Sequence, residues 1–489
     1  MAGLGTVRDR GYPTTLTQSM ISAAAVADGA GRARMPHWGL GLLLFVFAPA
    51  LAAGPLHEYR LDNGLRLFVK EDHRAPVVVS QVWYRVGSGD EHGGITGISH
   101  ALEHMMFQGT ARHPAGEFSR IVAANGGREN AFTGRDYTAY YQQLAKDRLA
   151  VSFELESDRM HNLALRAADF RKEIRVVMEE RRLRTDDDPQ ALTYERFNAA
   201  AFVSSPYHHP VIGWMDDLRN LRVADLRAWY RRWYTPGNAA LVVVGDVDPK
   251  AVYALAKRHF GPVPAVPPVH PKPRRELSPR GPRRITVRAP AELPYLLMGY
   301  QVPVLRTAHD PGEAYALEVL AGILDGGAGA RLASRLVRGD QVAASASAGY
   351  DLYARRTDQF LLAATPARGH GVRELERALR AEVRRLRDQP VSAAELDRVK
   401  AQVVAQRVYR QDSVFYQAME IGRVVTAGLD PKVLDAYVAR VRAVTPARIQ
   451  AVARRYLIPA RLTVAVLDPL PVRGRRPPAA PFHGGGVLR

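Results

Sequence analysis

Two stretches of the sequence share one pattern: LRAWYRRWYTPGNAALVVVGDVDP at residues 226–249 and IQAVARRYLIPARLTVAVLDP at residues 449–469. Each contains an amphipathic helical segment, a turn with proline, an apolar run typical of a buried strand, and Asp-Pro. A pattern of this length that recurs once indicates a duplicated structural unit. The chain is therefore predicted to have an α+β fold of two homologous domains, each mixing helices with a sheet.

Proline marks the boundary between the two copies. Residues 261–285 begin with GPVPAVPPVHPKPRRELSPRGPRR, a composition typical of a linker. The chain of 489 residues is long enough for two domains on either side of it. We predict an N-terminal domain at 54–260, a C-terminal domain at 286–468, and a disordered tail at 469–489 that is rich in proline and glycine.

An apolar segment near the N terminus predicts export. Residues 39–53 have the sequence GLGLLLFVFAPALAA and follow the basic residues Arg32 and Arg34. A membrane-spanning helix needs about 20 such residues, so this segment is too short. Because it ends in Ala50-Leu51-Ala52, we predict a secretory signal peptide within residues 1–53, with Met35 as a possible true start. The mature protein is then expected in the periplasm or outside the cell, without a stable membrane anchor.

Composition restricts the chemistry. The chain has no cysteine, which excludes disulfides, thiolate zinc sites, iron–sulfur clusters and cysteine nucleophiles. Any metal must bind to His, Asp and Glu side chains. The net charge of +19 comes from arginines dispersed along the chain, as at Arg231-Arg232, without interleaved aromatic residues. This pattern favours a solvated basic surface over a nucleic-acid-binding site.

The segment His100-Ala101-Leu102-Glu103-His104 carries the strongest chemical signal. Positions i, i+3 and i+4 of a helix share one face, so both imidazoles and the carboxylate project together. Two histidines one turn apart can bind Zn²⁺, and Glu103 can serve as general base toward a metal-activated water. H-x-x-E-H is the zinc-peptidase motif of inverzincins. The alternative is an ordinary helix face whose polar side chains are exposed to solvent or hydrogen-bonded within the core. The residues alone leave the third ligand open among Glu, Asp and His.

The surrounding sequence resembles the pitrilysin/insulinase family of zinc metallopeptidases, in particular its two-domain members such as the subunits of mitochondrial processing peptidase. Six stretches carry the resemblance, and they occur in the same order as in the family over roughly residues 57–250. They are LDNGLRLFV, VVVSQVWYRVGSGDEHGGITGISHALEHMMFQGT, ANGGRENAFTGRDYTAYY, EIRVVMEERRLRTDDDP, PYHHPVIGW and YTPGNAALVVVGDVDP. The resemblance implies a zinc metalloendopeptidase that binds one zinc ion per chain, and the apolar segment at 39–53 predicts that it is exported. A non-catalytic scaffold or assembly subunit with the same fold is the alternative function.

The resemblance also implies the remaining site residues. It places the third zinc ligand on a helix about 75 residues after the second histidine. Glu180 fits that spacing, and Glu173, seven residues earlier on the same helical face, is expected to orient the site. Glu179 points away and is expected to be solvated. The alternative is that all three glutamates form an exposed acidic face opposite nearby arginines.

A substrate-binding strand is implied as well. The segment Asn130-Ala131-Phe132-Thr133 matches the family's edge strand, to which an extended peptide adds by backbone hydrogen bonds. An ordinary internal strand is the alternative.

The second domain departs from the family pattern. Active members carry in this domain an Arg and, seven residues later, a Tyr that stabilise the oxyanion. The corresponding residues here are Val337 and Ala344, whose side chains cannot donate a hydrogen bond. Arg335, Arg338 and Tyr350 are the possible substitutes. We therefore predict a heterodimer in which a homologous chain supplies the Arg/Tyr pair, with a homodimer as the second choice.

Overall fold

The computed structural model describes residues 54–269 and 271–472. The predicted signal peptide at 1–53 and the tail from residue 473 lie outside the described residues. Two mixed sheets with packed helices confirm the predicted α+β class and its two-domain arrangement. Within the described ranges, no helix combines the length and the apolarity needed to cross a membrane.

The first half of the chain contains six strands and eight α-helices among its described residues. These are β1 (Leu56–Arg60), β2 (Arg66–Glu71), β3 (Val77–Tyr84), α1 (Ile98–Met105), α2 (Glu117–Ala124), β4 (Arg128–Thr133), β5 (Thr138–Ala145), α3 (Leu149–Asn162), α4 (Ala167–Arg181), α5 (Pro189–Ala201), α6 (Met215–Asn220), α7 (Val223–Trp233), β6 (Ala239–Gly245) and α8 (Pro249–Phe260).

The second half contains five strands and six α-helices among its described residues. These are β7 (Arg283–Pro290), β8 (Tyr295–Val302), α9 (Pro311–Asp325), β9 (Ala343–Gly349), β10 (Asp358–Pro366), α10 (Val372–Asp388), α11 (Ala393–Arg410), α12 (Val414–Ala427), α13 (Val433–Arg442), α14 (Pro446–Tyr456) and β11 (Leu462–Leu470).

The order of the strands shows the duplication. The first sheet has the order β1-β2-β6-β3-β5-β4, and the second has the order β7-β11-β8-β10-β9. Without β1, the two orders are equivalent strand for strand. The two repeated stretches form α7 with β6 and α14 with β11, and each repeated strand is paired on both sides inside its sheet. Burial on both faces explains their continuous apolar runs.

Each sheet is covered on one face by a helix from the other half of the chain. Helix α12 of the second half packs on β3 and β6, where Ala418 and Ile421 share a buried apolar cluster with Trp83. Helix α5 of the first half packs on β7, β8 and β11, and Phe197 lies against Gly299 there. This exchange buries apolar surface on both sides and joins the two domains.

The predicted domain boundaries differ from the observed elements by a few residues. Strand β7 begins at Arg283, inside the predicted linker, and β11 continues to Leu470, inside the predicted tail. The linker is also fixed to the first domain, because the Glu276 carboxylate accepts hydrogen bonds from the backbone N–H groups of residues 203–205. Because β11 pairs in parallel with β7, both strands extend into segments whose proline content had predicted a linker and a tail.

Candidate metal centre and catalytic site

Helix α1 carries the H-x-x-E-H motif on its partly exposed face. Its opposite face, with Ile98, Ala101, Leu102 and Met105, is buried in the first domain's core. This division into an apolar and a polar face follows the helical period and holds the motif residues away from the core.

Glycine is required where α1 begins. Gly97 has φ +83°, and a Cβ there would lie 2.5 Å from the carbonyl oxygen of Ile212 and 2.8 Å from the Cα of Gly213. Residues 212–213 therefore pack directly on the first turn of α1, and no larger residue fits at position 97.

Glu91 caps the same helix and was not predicted from the sequence as a site residue. Its carboxylate accepts hydrogen bonds from the backbone N–H of Gly97 at 2.7 Å and of Ser99 at 2.9 Å. Burial raises the pKa of Glu91 to about 7. Because the free N–H groups of a helix N-terminus need acceptors, Glu91 fixes the turn that precedes His100.

Helix α4 supplies the acidic residues. Phe170 and Val177 are buried, whereas Glu173 and Glu180 are only partly buried and face α1. Glu179 lies on the exposed side and pairs with Arg182 at 2.7 Å. Glu173 and Glu180 therefore lie on the side of α4 that faces α1, and Glu179 lies on its exposed side.

Three predicted ligands converge between α1 and α4. The Nε2 atoms of His100 and His104 lie 3.7 Å and 3.3 Å from Oε2 of Glu180. All three donor atoms lie within 4.8 Å of one another, and among the described residues this is the one such group of three. Two ligands bound tetrahedrally at about 2.0–2.1 Å are about 3.4 Å apart, so these donors fit a zinc ion.

Glu173 lies behind His104. Its Oε2 is 3.4 Å from Nδ1 of His104, and its Oε1 accepts a 3.0 Å hydrogen bond from Gln108. A carboxylate in this place fixes the ring orientation of a metal-binding histidine and leaves Nε2 free for the ion. Gln108, just beyond the motif, was not predicted as part of the site.

The electrostatics of the site favour a cation. Burial lowers the pKa of His100 to about 3, which leaves its ring neutral. Burial also lowers the pKa of His104, but hydrogen bonds to Glu173 and Glu180 outweigh this and raise it to about 9. Although burial raises the pKa of Glu180, His104 and nearby positive charges lower it to about 2. The carboxylates of Glu173 and Glu180 thus stabilise positive charge between the two helices. A bound divalent ion supplies such a charge, as a protonated His104 does without it.

Glu103 is held separately from the three converging donors. Its Oε2 accepts a 2.5 Å hydrogen bond from the hydroxyl of Thr133, at the end of β4. Burial raises the pKa of Glu103 to about 7 despite that hydrogen bond. A carboxyl group with a pKa near neutrality can both accept and return a proton.

Strand β4 lies at the edge of the first sheet, next to β5. The Gly134 N–H points toward β5 and donates to the carbonyl of Tyr137. Because the backbone groups of successive residues in a strand point alternately to its two sides, the N–H and C=O groups of Ala131 and Thr133 point away from the sheet. In this structure the Ala131 N–H is bonded to the side-chain oxygen of Asn130 at 2.8 Å. The Phe132 ring packs against Trp83. The segment 130–133 therefore offers backbone groups beside Glu103.

Comparisons with known proteins identify the family. Residues 66–213 match the profile described as insulinase (peptidase family M16), and residues 220–403 match that of the peptidase M16 inactive domain. The zinc protease PqqE of Helicobacter pylori is 34% identical over 354 residues, 71% of this chain and 78% of that protein. The chain belongs to the peptidase M16 family.

Solved structures agree with this assignment and confirm the resemblance seen in the sequence. A protease from Helicobacter pylori superposes on this M16 chain with a TM-score of 0.81 at 30% identity, over 85% of this chain and all of that one. The periplasmic protease PqqL from Escherichia coli shares the fold, with a TM-score of 0.70 at 21% identity, over 85% of this chain and 48% of that one.

The described part of the second domain, residues 271–472, has no counterpart of this group of three donors. Tyr315 and Val319 on α9 take the places of the two histidines, and Glu318 takes that of Glu103. Glu318 accepts a 3.2 Å hydrogen bond from the Tyr437 hydroxyl, and burial raises its pKa to about 7. The duplicated helix of this M16 chain thus keeps a partly buried carboxyl group without histidines at the two neighbouring motif positions.

Two arginines beside Glu180 were not predicted as site residues. Arg184 pairs with Oε1 of Glu180 at 2.6 Å and lowers its pKa. Arg181, which is 3% exposed, donates to both carboxylate oxygens of Glu195 at 2.7 Å and 3.0 Å and to the carbonyl of Gly213 at 2.8 Å. Since Glu195 is on α5 and Gly213 packs on the start of α1, Arg181 connects both site helices to the domain interface.

Replacing Arg181 with methionine is expected to destabilise the protein by about 3–5 kcal/mol, because Glu195 would remain buried without a partner. The matched control is Arg182→Met, directly after the end of α4, whose exposed pair with Glu179 is expected to contribute less than about 1 kcal/mol. Denaturant unfolding of the two variants measures the difference. Equal losses of stability in both variants would contradict the assigned role of Arg181.

Proposed function

We propose that this chain is an exported zinc-dependent metalloendopeptidase that hydrolyses peptides or unfolded protein segments, and that it is the metal-bearing subunit of a dimer. The convergence of His100, His104 and Glu180 is the observation that carries the proposal. Relatives named zinc proteases support the activity. The apolar segment at 39–53 supports export.

In this proposal each residue has one role. His100, His104 and Glu180 hold one zinc ion, and Glu173 orients His104 through Nδ1. The ion, when bound, polarises the scissile carbonyl and lowers the pKa of water. Glu103 accepts the proton of the attacking water and later delivers it to the leaving amine.

The segment Asn130–Thr133 is proposed to bind the substrate backbone. An extended peptide can pair with the outward groups of Ala131 and Thr133 once the Asn130 side chain releases the Ala131 N–H. Since backbone pairing requires no particular side chain, it suits a protease that acts on unfolded segments. Thr133 also joins this strand to Glu103, which brings the bound peptide close to the proposed base.

The oxyanion donors are the missing part of the site. Val337 and Ala344 cannot donate, and the possible substitutes form other interactions. Arg335 pairs with Glu382 at 3.0 Å, and the Tyr350 hydroxyl donates to the carbonyl of Pro303 at 2.8 Å. Arg338 donates to the carbonyl of Ala328. These contacts support the proposal that a homologous chain completes the site, with a second copy of this chain as the alternative partner.

Metal analysis tests the zinc site. Purified protein is expected to contain about one zinc per chain, because the site has three protein ligands and one open position. Glu180→Ala is expected to lose the metal, whereas Glu179→Ala, one residue away on the exposed side of α4, is expected to keep it. Chelation is expected to stop peptide hydrolysis and added zinc to restore it. A zinc-free chain, or equal metal content in the two variants, would contradict the site.

A further inference from the structure

Helix α10 carries five arginines along one side. Arg373, Arg377, Arg380, Arg384 and Arg387, which we name the arginine stripe, are spaced by four, three, four and three residues. At 3.6 residues per turn, this spacing confines them to an arc of about 80° along a helix about 25 Å long. The dispersed arginine excess expected from the sequence is thus locally aligned by the fold.

The stripe is largely free of counter-ions. Of the acidic residues on α10, Glu374 faces His370, Glu382 pairs with Arg335 and Arg385, and Glu376 pairs with Arg284 and Arg380. Asp388 is the last residue of the helix. In the described part of the chain, the exposed side chains of Arg373, Arg377 and Arg384 make no hydrogen bond, ion pair or ring contact.

The stripe faces away from the domain interface. Helix α10 packs on β8, β10 and α14. On β8, Tyr300 lies within the electrostatic reach of Arg380 and Arg387, whereas the preceding residue, Gly299, contacts Phe197 of α5. Because neighbouring residues of a strand point to opposite faces, α10 and α5 cover opposite faces of the second sheet. A surface bound to the stripe would therefore leave the metal site in the first domain accessible.

We propose that the arginine stripe binds the anionic headgroups of a phospholipid bilayer and holds the protein reversibly at a membrane surface. Guanidinium groups bind phosphates with paired hydrogen bonds. The stripe contains only arginines and lacks the apolar and aromatic residues that accompany arginine at the centre of a stable protein interface. Single-stranded nucleic acid would require aromatic stacking partners, which the stripe also lacks. Binding to a plane of lipid phosphates requires neither an apolar centre nor aromatic stacking partners.

The stripe also adjoins basic residues on neighbouring elements. Arg284 of β7, together with Arg373, Arg377 and Arg380, lines an open depression of about 340 Å³ whose one carboxylate is Glu376. Arg454 of α14 lies at the other end, where its Nε donates to the carbonyl of Arg387 at 2.7 Å. Positive charge therefore extends over both ends of the helix, as binding to a flat anionic surface requires.

Vesicle cosedimentation at low salt tests the proposal. The purified chain is expected to bind vesicles of equal parts phosphatidylglycerol and phosphatidylcholine, but not vesicles of phosphatidylcholine alone, and to dissociate as salt is added. Each arginine near an anionic surface contributes about fivefold to the affinity. The triple variant Arg373→Gln, Arg377→Gln and Arg384→Gln is therefore expected to bind about 100-fold more weakly.

A matched variant separates the stripe from net charge. Arg219→Gln, Arg231→Gln and Arg258→Gln remove the same charge from exposed positions on α6, α7 and α8 and are expected to weaken binding less than about fivefold. All proteins carry the same N terminus, so the apolar segment at 39–53 contributes equally, and thermal unfolding checks that each is folded. Equal weakening in both triple variants would overturn the proposal.

Two further results would also overturn it. Displacement of the chain from vesicles by soluble glycerol phosphate at low concentration would indicate a site for a single anion. Stripe-dependent binding to polyglutamate without binding to anionic vesicles would indicate an acidic protein partner. Zinc content and peptide hydrolysis of the stripe variant measure the proposed function separately and are expected to be unchanged.

Discussion

Glu103→Gln is expected to abolish peptide hydrolysis while the zinc ion remains bound. Glutamine has nearly the same shape and can still accept the hydrogen bond of Thr133, but it cannot take a proton from water. Loss of a positioned general base costs about 10²–10⁴ in rate. Steady-state hydrolysis of an unstructured peptide, measured together with metal content, checks both parts of the prediction.

The matched control is Glu179→Gln, which makes the same chemical change on the exposed side of α4. Its activity is expected to equal that of the unchanged protein. If Glu103→Gln retained activity with its zinc in place, Glu103 would not be the general base. If it lost its zinc as well, Glu103 would also support the metal site, which would contradict the expectation that the ion remains bound.

The second large effect is expected from a partner chain. The isolated protein should hydrolyse peptides about 10²–10³ more slowly than a mixture with a homologous chain that carries the Arg/Tyr pair, since one oxyanion donor contributes about that factor. The deficit is expected because Val337 and Ala344 stand where the family resemblance places the two donors, and the Tyr350 hydroxyl already donates to the carbonyl of Pro303. Peptide hydrolysis by each chain alone and by the mixture measures the effect.

Two controls define this result. The same homologous chain with its Arg and Tyr replaced should bind but not activate, because the contact would remain and the donors would be lost. Mass measurement of the isolated protein in solution distinguishes a monomer from a homodimer. Full activity in the isolated chain, shown to be free of any homologue, would contradict the shared site and bring Arg335 or Arg338 back into consideration.

The shared helical face of the H-x-x-E-H motif could be predicted from the sequence because its geometry is local. His100, Glu103 and His104 share a helical face whatever the rest of the chain does, provided that the helix forms. The fold class was predictable for a related reason, since the repeated stretches at 226–249 and 449–469 record a duplication directly in the order of residues.

The assignment of Glu180 needed more than local pattern. Residues alone left the third ligand open, and the family resemblance selected Glu180 from three glutamates on one helix. The structure places its Oε2 beside both imidazoles because α4 packs against α1 through Val177 and its apolar neighbours. The zinc ion itself remains a proposal for the metal analysis to test.

By itself, the sequence determined the two α+β domains, the motif helix and the absence of donors at Val337 and Ala344. Only the tertiary structure decided which side chains support them. These supporting side chains act through buried contacts or through contacts between residues far apart in the chain. They are Glu91 at the start of α1, Arg181 with its bonds to Glu195 and Gly213, and Gln108, which donates to Glu173. Such contacts depend on how helices pack, and packing leaves no periodic pattern in the residues that make them.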